Sequence, residues 1–114
     1  MKIENRLKKR KQFNWTFKNG QKYHSKNLIL FYNSHWSNDF KVGFSVTKKV
    51  GNAVVRNKVK RRLKEAVLKF ENNIASKHTL IFVAKPEIVN VDFLDIVEEV
   101  QFLLKKTGLF VKDE

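Results

Sequence analysis

Phe40-Lys-Val-Gly-Phe-Ser-Val-Thr-Lys-Lys-Val-Gly-Asn-Ala-Val-Val-Arg-Asn-Lys-Val-Lys-Arg-Arg-Leu-Lys64 is the stretch that decides the fold. In its first third, Phe40, Val42, Phe44 and Val46 alternate with Lys41, Gly43, Ser45 and Thr47. That period of two predicts a strand with an apolar side against a core and a small, polar side left open. After Gly51-Asn52 the period changes. Val55, Val59, Leu63, Ala66, Val67 and Phe70 fall on one stripe of a helix from about Ala53 to Phe70. Arg56, Lys58, Lys60, Arg61, Arg62, Lys64 and Lys69 occupy most of its remaining circumference. A second apolar strand follows at 79–84, Thr-Leu-Ile-Phe-Val-Ala, stopped by Lys85-Pro86. Strand, helix and strand form a βαβ crossover with the basic helix as connector. The general preference for right-handed crossovers sets the expected hand.

The flanks complete the element list. Leu28-Ile-Leu-Phe-Tyr32 is a continuous apolar strand ended by Asn33-Ser34, and a further short strand fits residues 21–26. Residues 6–18 read as a short helix closed by Asn19-Gly20, the glycine in the left-handed conformation that terminates helices. Phe13 and Phe17 lie one turn apart on that helix, while Trp15 points well away from them. So short a helix cannot bury both faces; one aromatic face goes inward and the other looks into a groove. The last helix starts near Asp92, has Asp95, Glu98 and Glu99 early, and ends on Lys105-Lys106 before Gly108. This order of charge complements a helix dipole, and Phe93, Val97, Val100, Phe102, Leu103 and Leu104 form its core stripe. The expected class is α+β: residues 1–114 as one domain, with helices on a small sheet of about four strands in the order α-β-β-(β)-α-β-α.

Charge narrows the function. The chain has 24 Lys and Arg against 11 Asp and Glu in 114 residues, a formal net charge of +13. Residues 1–26 carry a net +8, residues 27–47 balance, residues 48–69 carry another +8, and residues 70–114 carry −3. Segregation of this kind predicts a basic face built from two segments for a polyanionic partner. Ten Phe and 42% hydrophobic residues exclude a wholly disordered basic tail. With no cysteine there are no disulfides, zinc-thiolate sites or thiol catalysis. No apolar run approaches the roughly 18 residues of a membrane span, and no apolar segment follows the N-terminal basic residues. A cytoplasmic protein without a membrane partner is the expectation.

Catalytic equipment is sparse. His24, His35 and His78 are scattered, Ser45 sits in no nucleophile elbow, and a Walker-type loop is absent. Asp92, Asp95, Glu98 and Glu99 could hold a divalent metal, but their place on the first turns of a helix favours capping and dipole roles. Equipment for nucleic acid is ample: cations for phosphates, and Phe13 and Phe17 beside them as stacking platforms or as core. The apolar stripe of the basic helix marks it as docked on its own domain, which disfavours a membrane-surface role.

The run Val42–Arg62 resembles the signature of the bacterial ribonuclease P protein component: a strand, a Lys-Lys-x-Gly-Asn-Ala turn and an Arg-Asn-Arg helix. Leu7–Gly20 is similar to that family's opening helix, and Ile81–Pro86 to its last strand and turn. The resemblance implies the protein subunit of a ribonucleoprotein endonuclease that removes the 5′ leader of precursor tRNA. Its catalytic centre belongs to the RNA partner, which holds Mg2+; no cofactor or metal is expected on the protein, which is expected to be monomeric on its own. By position, Lys48, Lys49, Gly51, Asn52, Arg56, Asn57, Lys58, Lys60, Arg61, Arg62 and Lys64 would bind the catalytic RNA. Lys58 stands where the family has Arg, and so lacks bidentate phosphate geometry. Phe13, Phe17, Phe31 and Ser45 would line a cleft for the single-stranded leader. The resemblance also implies a left-handed βαβ crossover, against the general preference. Two readings compete: a ribosomal or RNA-scaffolding protein on a related fold, and a nuclease acting without RNA.

Overall fold

A computed structural model describes residues 5–35 and 37–112; Lys2 and Glu4 of the first basic block lie outside them. Helix α1 spans Arg10–Asn19, followed by strands β1 (Gln21–His24), β2 (Leu28–Ser34) and β3 (Lys41–Ser45). Helix α2 (Ala53–Leu68), strand β4 (His78–Ala84) and helix α3 (Phe93–Lys106) complete the chain. The sheet order is β1-β2-β4-β3. β1 and β2, and β2 and β4, pair antiparallel, while β3 pairs parallel with β4, its neighbour across the α2 crossover. The short β1 anticipated at residues 21–26 is an edge strand, and the mixed α+β sheet has the expected four strands.

Register assigns each side chain to a face. Leu28, Leu30, Val42, Leu80, Phe82 and Ala84 all point to one side, where α2 and α3 cover them. From α2 the core takes Val59, Leu63, Ala66 and Val67; from α3 it takes Ile96, Val100, Leu103 and Leu104. On the outer face the register makes three rows: Asn33–Thr79–Lys41, Phe31–Ile81–Gly43, and Ile29–Val83–Ser45. α1 lies over the middle row, with Phe13 against Gly43 and Phe17 against Phe31. It is about 15 Å long, so it crosses the sheet but leaves outer rows on either side.

Four sequence expectations change. α1 begins at Arg10 instead of Arg6, because the preceding residues run along the free edge of β3: Leu7 N–H donates to Val42 O at 2.9 Å, and Asn5 Nδ2 to Phe40 O at 2.8 Å. Gly20 has φ −81°, so left-handed geometry does not end the helix. Glycine is required there by contact: a Cβ would sit 2.6 Å from Thr16 O and 2.7 Å from Tyr32 O. Phe102 is 42% exposed and packs on Tyr23 of β1 at the rim; Ile96 fills the core place on α3. Finally, Glu99 works across the fold, not on the dipole. Its carboxylate accepts from the Ser25 hydroxyl, from Asn27 N–H at 2.8 Å and from Asn27 Nδ2 at 2.8 Å, clasping the β1–β2 turn to α3. Asp92 occupies the N-cap position of α3 without a side-chain cap bond.

Candidate nucleic-acid interface

Because Phe13 and Phe17 are four residues apart, α1 sets both rings over the sheet, their centroids 6.3 Å apart. Phe17 meets Phe31 edge-on at 4.9 Å, and Lys22 Nζ stands 5.9 Å from the Phe31 ring. Phe13 and Phe31 are half-buried, and Phe17 is 37% exposed. All three lie outside the main core, on the opposite side of the sheet. Ser45 is on the same face, one row beyond Gly43, beside Ile29 and Val83. Thus the four residues anticipated for a leader cleft share one face. The expected smooth open strand is shorter than the alternation suggested, since Phe13 and Leu7 fill the space over Gly43.

The basic residues of α2 form three stripes by helical spacing. Lys60 and Lys64, on the Arg56 side, line a hollow of about 160 Å³ together with Arg6, Phe13 and Gly43. The Lys64 ammonium is held below the ordinary 10.5 by burial first, then by the positive charges of Arg6 and Lys60. Three cations crowded beside an aromatic cluster make a place where a phosphate would relieve mutual repulsion. Arg6 was not singled out from sequence; it reaches the site only because residues 5–7 follow the β3 edge. Asn57 and Arg61 face outward and are exposed. Lys58 and Arg62 border a small recess of about 110 Å³ with Val55, Ile88 and Val89, and Arg62 Nη1 donates to Val91 O at 3.4 Å.

Gly51 and Asn52 have local work. Asn52 Oδ1 accepts from Val55 N–H at 3.0 Å and caps α2, while Arg56 Nη1 donates to Gly51 O at 3.0 Å. This turn fixes where the basic helix starts and leaves Lys48 and Lys49 exposed just before it. Among the described residues, no three His, Asp or Glu side chains form a group able to hold a metal ion. Nor, among them, is any helix long and apolar enough to cross a membrane.

Comparison with known proteins identifies the family and the fold. The model of the family described as Ribonuclease P matches residues 1–108. The chain is 37% identical over 108 residues to the ribonuclease P protein component of Clostridium botulinum, covering 94% of this chain and 97% of that protein. It is 34% identical over 109 residues to that of Caldanaerobacter subterraneus, covering 96% of this chain and 94% of the relative. Among solved structures, the Staphylococcus aureus RNase P protein superposes with a TM-score of 0.84 at 28% identity, covering 93% of this chain and 97% of that one. Family match, near full-length relatives and shared fold together place this chain in the ribonuclease P protein family.

Proposed function

We propose that this chain is the RNA-binding subunit of ribonuclease P, the endonuclease that removes the 5′ leader from precursor tRNA, and that its own side chains bind while the RNA partner performs the phosphodiester chemistry. The observation that carries this reading is the Phe13–Phe17–Phe31 cluster on the outer face of the sheet, bordered by Arg6, Lys60 and Lys64. Aromatic faces stack on unpaired bases of any sequence, and cations at their edge hold the backbone between them. This suits a single-stranded leader that differs in sequence from one tRNA to the next. The outer stripes of α2, with Arg61 foremost and Lys48 and Lys49 at its start, are the face offered to the catalytic RNA. Magnesium, held by that RNA, supplies the hydrolytic chemistry. A scaffold without a substrate role would have no use for aromatic rings left half-exposed beside a cationic hollow.

The test is differential binding by the reconstituted holoenzyme. Phe17→Ala is expected to weaken leader-bearing precursor tRNA by about 1–3 kcal/mol, the range of one base–aromatic stack, and to leave mature tRNA unchanged. Equal losses for both RNAs would contradict the leader assignment and favour a purely scaffolding role.

A further inference from the structure

On the side of α1 away from Ser45, the outer face of the sheet holds a groove of about 780 Å³. That volume is in the range of small-molecule and cofactor sites. Lys11, Gln12 and Trp15 of α1 form one wall, and Asn33, His35 and Lys41 belong to the sheet side. Trp15 is 61% exposed, and its indole makes no ring contact among the described residues. Thr16, the next residue, is buried and donates its hydroxyl to Asn33 Oδ1 at 2.9 Å, which fixes the helix against the groove floor. Among the described residues, Lys11 and Lys41 bring positive charge to the groove lining. An exposed indole beside cations, with amide and hydroxyl groups below, is the chemistry that takes an unpaired nucleotide.

We propose that this groove is a second nucleotide site, in which an unpaired base of the catalytic RNA stacks on Trp15 while Lys11 and Lys41 meet the adjoining phosphates. The proposal rests on the subunit reading above. Its occupant follows from the position of α1. A leader lying along Phe13, Phe17 and Phe31 is on the other side of this helix and would have to climb over it to reach Trp15. The strand that fills the groove is therefore a different one, and the RNA partner supplies it. The helix then acts as a partition, with Phe13 and Phe17 serving substrate and Trp15 serving assembly.

The experiment uses the full chain and bacterial ribonuclease P RNA, first without precursor tRNA and then with precursors of short and long leader. Trp36→Phe leaves Trp15 as the sole indole, and its fluorescence is expected to be quenched in step with assembly. In the otherwise unaltered chain, Trp15→Ala is expected to weaken assembly by roughly 5- to 150-fold, with Trp15→Phe restoring most of it. Because Trp15 is exposed, the melting temperature should be unchanged in both variants. Unchanged assembly on Trp15→Ala would overturn the proposal. So would a loss confined to precursors with long leaders, which would give the groove to the leader. If Arg61→Ala weakens assembly while Trp15→Ala does not, the groove assignment fails and the subunit reading stands. If the unaltered chain does not bind the RNA, the subunit reading itself fails.

Discussion

Gly43 shows how one residue couples strand to site. A Cβ there would lie 2.5 Å from Phe13 Cζ and 2.7 Å from Cε1, so the ring rests on the glycine itself. Gly43→Ala is expected to push Phe13 off the sheet, destabilise the fold by about 1–3 kcal/mol as overpacking does, and reduce the preference for precursor over mature tRNA. A denaturant melt and the two binding constants check it; an unaltered preference would mean that the Phe13 position is immaterial. Lys64 couples the same hollow to pH. Its ammonium is disfavoured by burial, then by Arg6 and Lys60, so its native pKa is below that of the unfolded chain. Between the two values the unfolded chain holds more protons, so stability rises with pH as Lys64 deprotonates; below its native pKa the penalty is fully present. A bound phosphate reverses the balance. The Lys64 side chain, followed by NMR, is expected to titrate below 10.5 in the free protein and to move upward when RNA is bound. No movement on binding would place the phosphate elsewhere.

Among the elements, α2 was the most legible in sequence, because period and charge agree along its whole length. The stripe Val59, Leu63, Ala66 and Val67 is buried as the spacing required. β2 and β4 were readable as apolar runs bounded by Asn, Ser and Pro, and β3 by its alternation. α1 was half legible. Its aromatic spacing was visible, but the edge pairing that delays its start depends on β3, more than thirty residues away in sequence. α3 misled at Phe102, since apolar character alone does not separate a core position from a rim position against Tyr23. The Glu99 clasp was hidden for a like reason: a carboxylate early in a helix looks the same whether it serves the dipole or a distant turn. For the candidate site, Phe13, Phe17 and the basic helix could be named from the residues and Phe31 from the resemblance, whereas Arg6 and what each stripe of α2 faces needed the fold. That difference separates two variants on one helix. Asn52→Ala is expected to cost about 1 kcal/mol of stability through the lost cap and to leave the salt dependence of RNA binding unchanged. Arg61→Ala should leave stability unchanged and flatten the salt dependence by about one unit of slope. Matching effects from the two would mean that α2 is not the RNA face.

At the scale of the whole molecule, the charge of +13 resolves into surfaces with distinct neighbours. The core side of the sheet is closed by α2 and α3, and the acidic C-terminal third supplies much of that cover. The outer side is divided by α1, and the basic residues gather around it and along the exposed side of α2. The proposed division of labour assigns RNA binding to these surfaces and phosphodiester chemistry to the RNA partner. The direct measurement is 5′ processing of precursor tRNA at low magnesium, with bacterial ribonuclease P RNA alone, this protein alone, and the two combined. Efficient cleavage is expected only in the combination, at a magnesium concentration where the RNA alone is slow. Cleavage by the protein alone, or no gain when it is added to the RNA, would contradict that division.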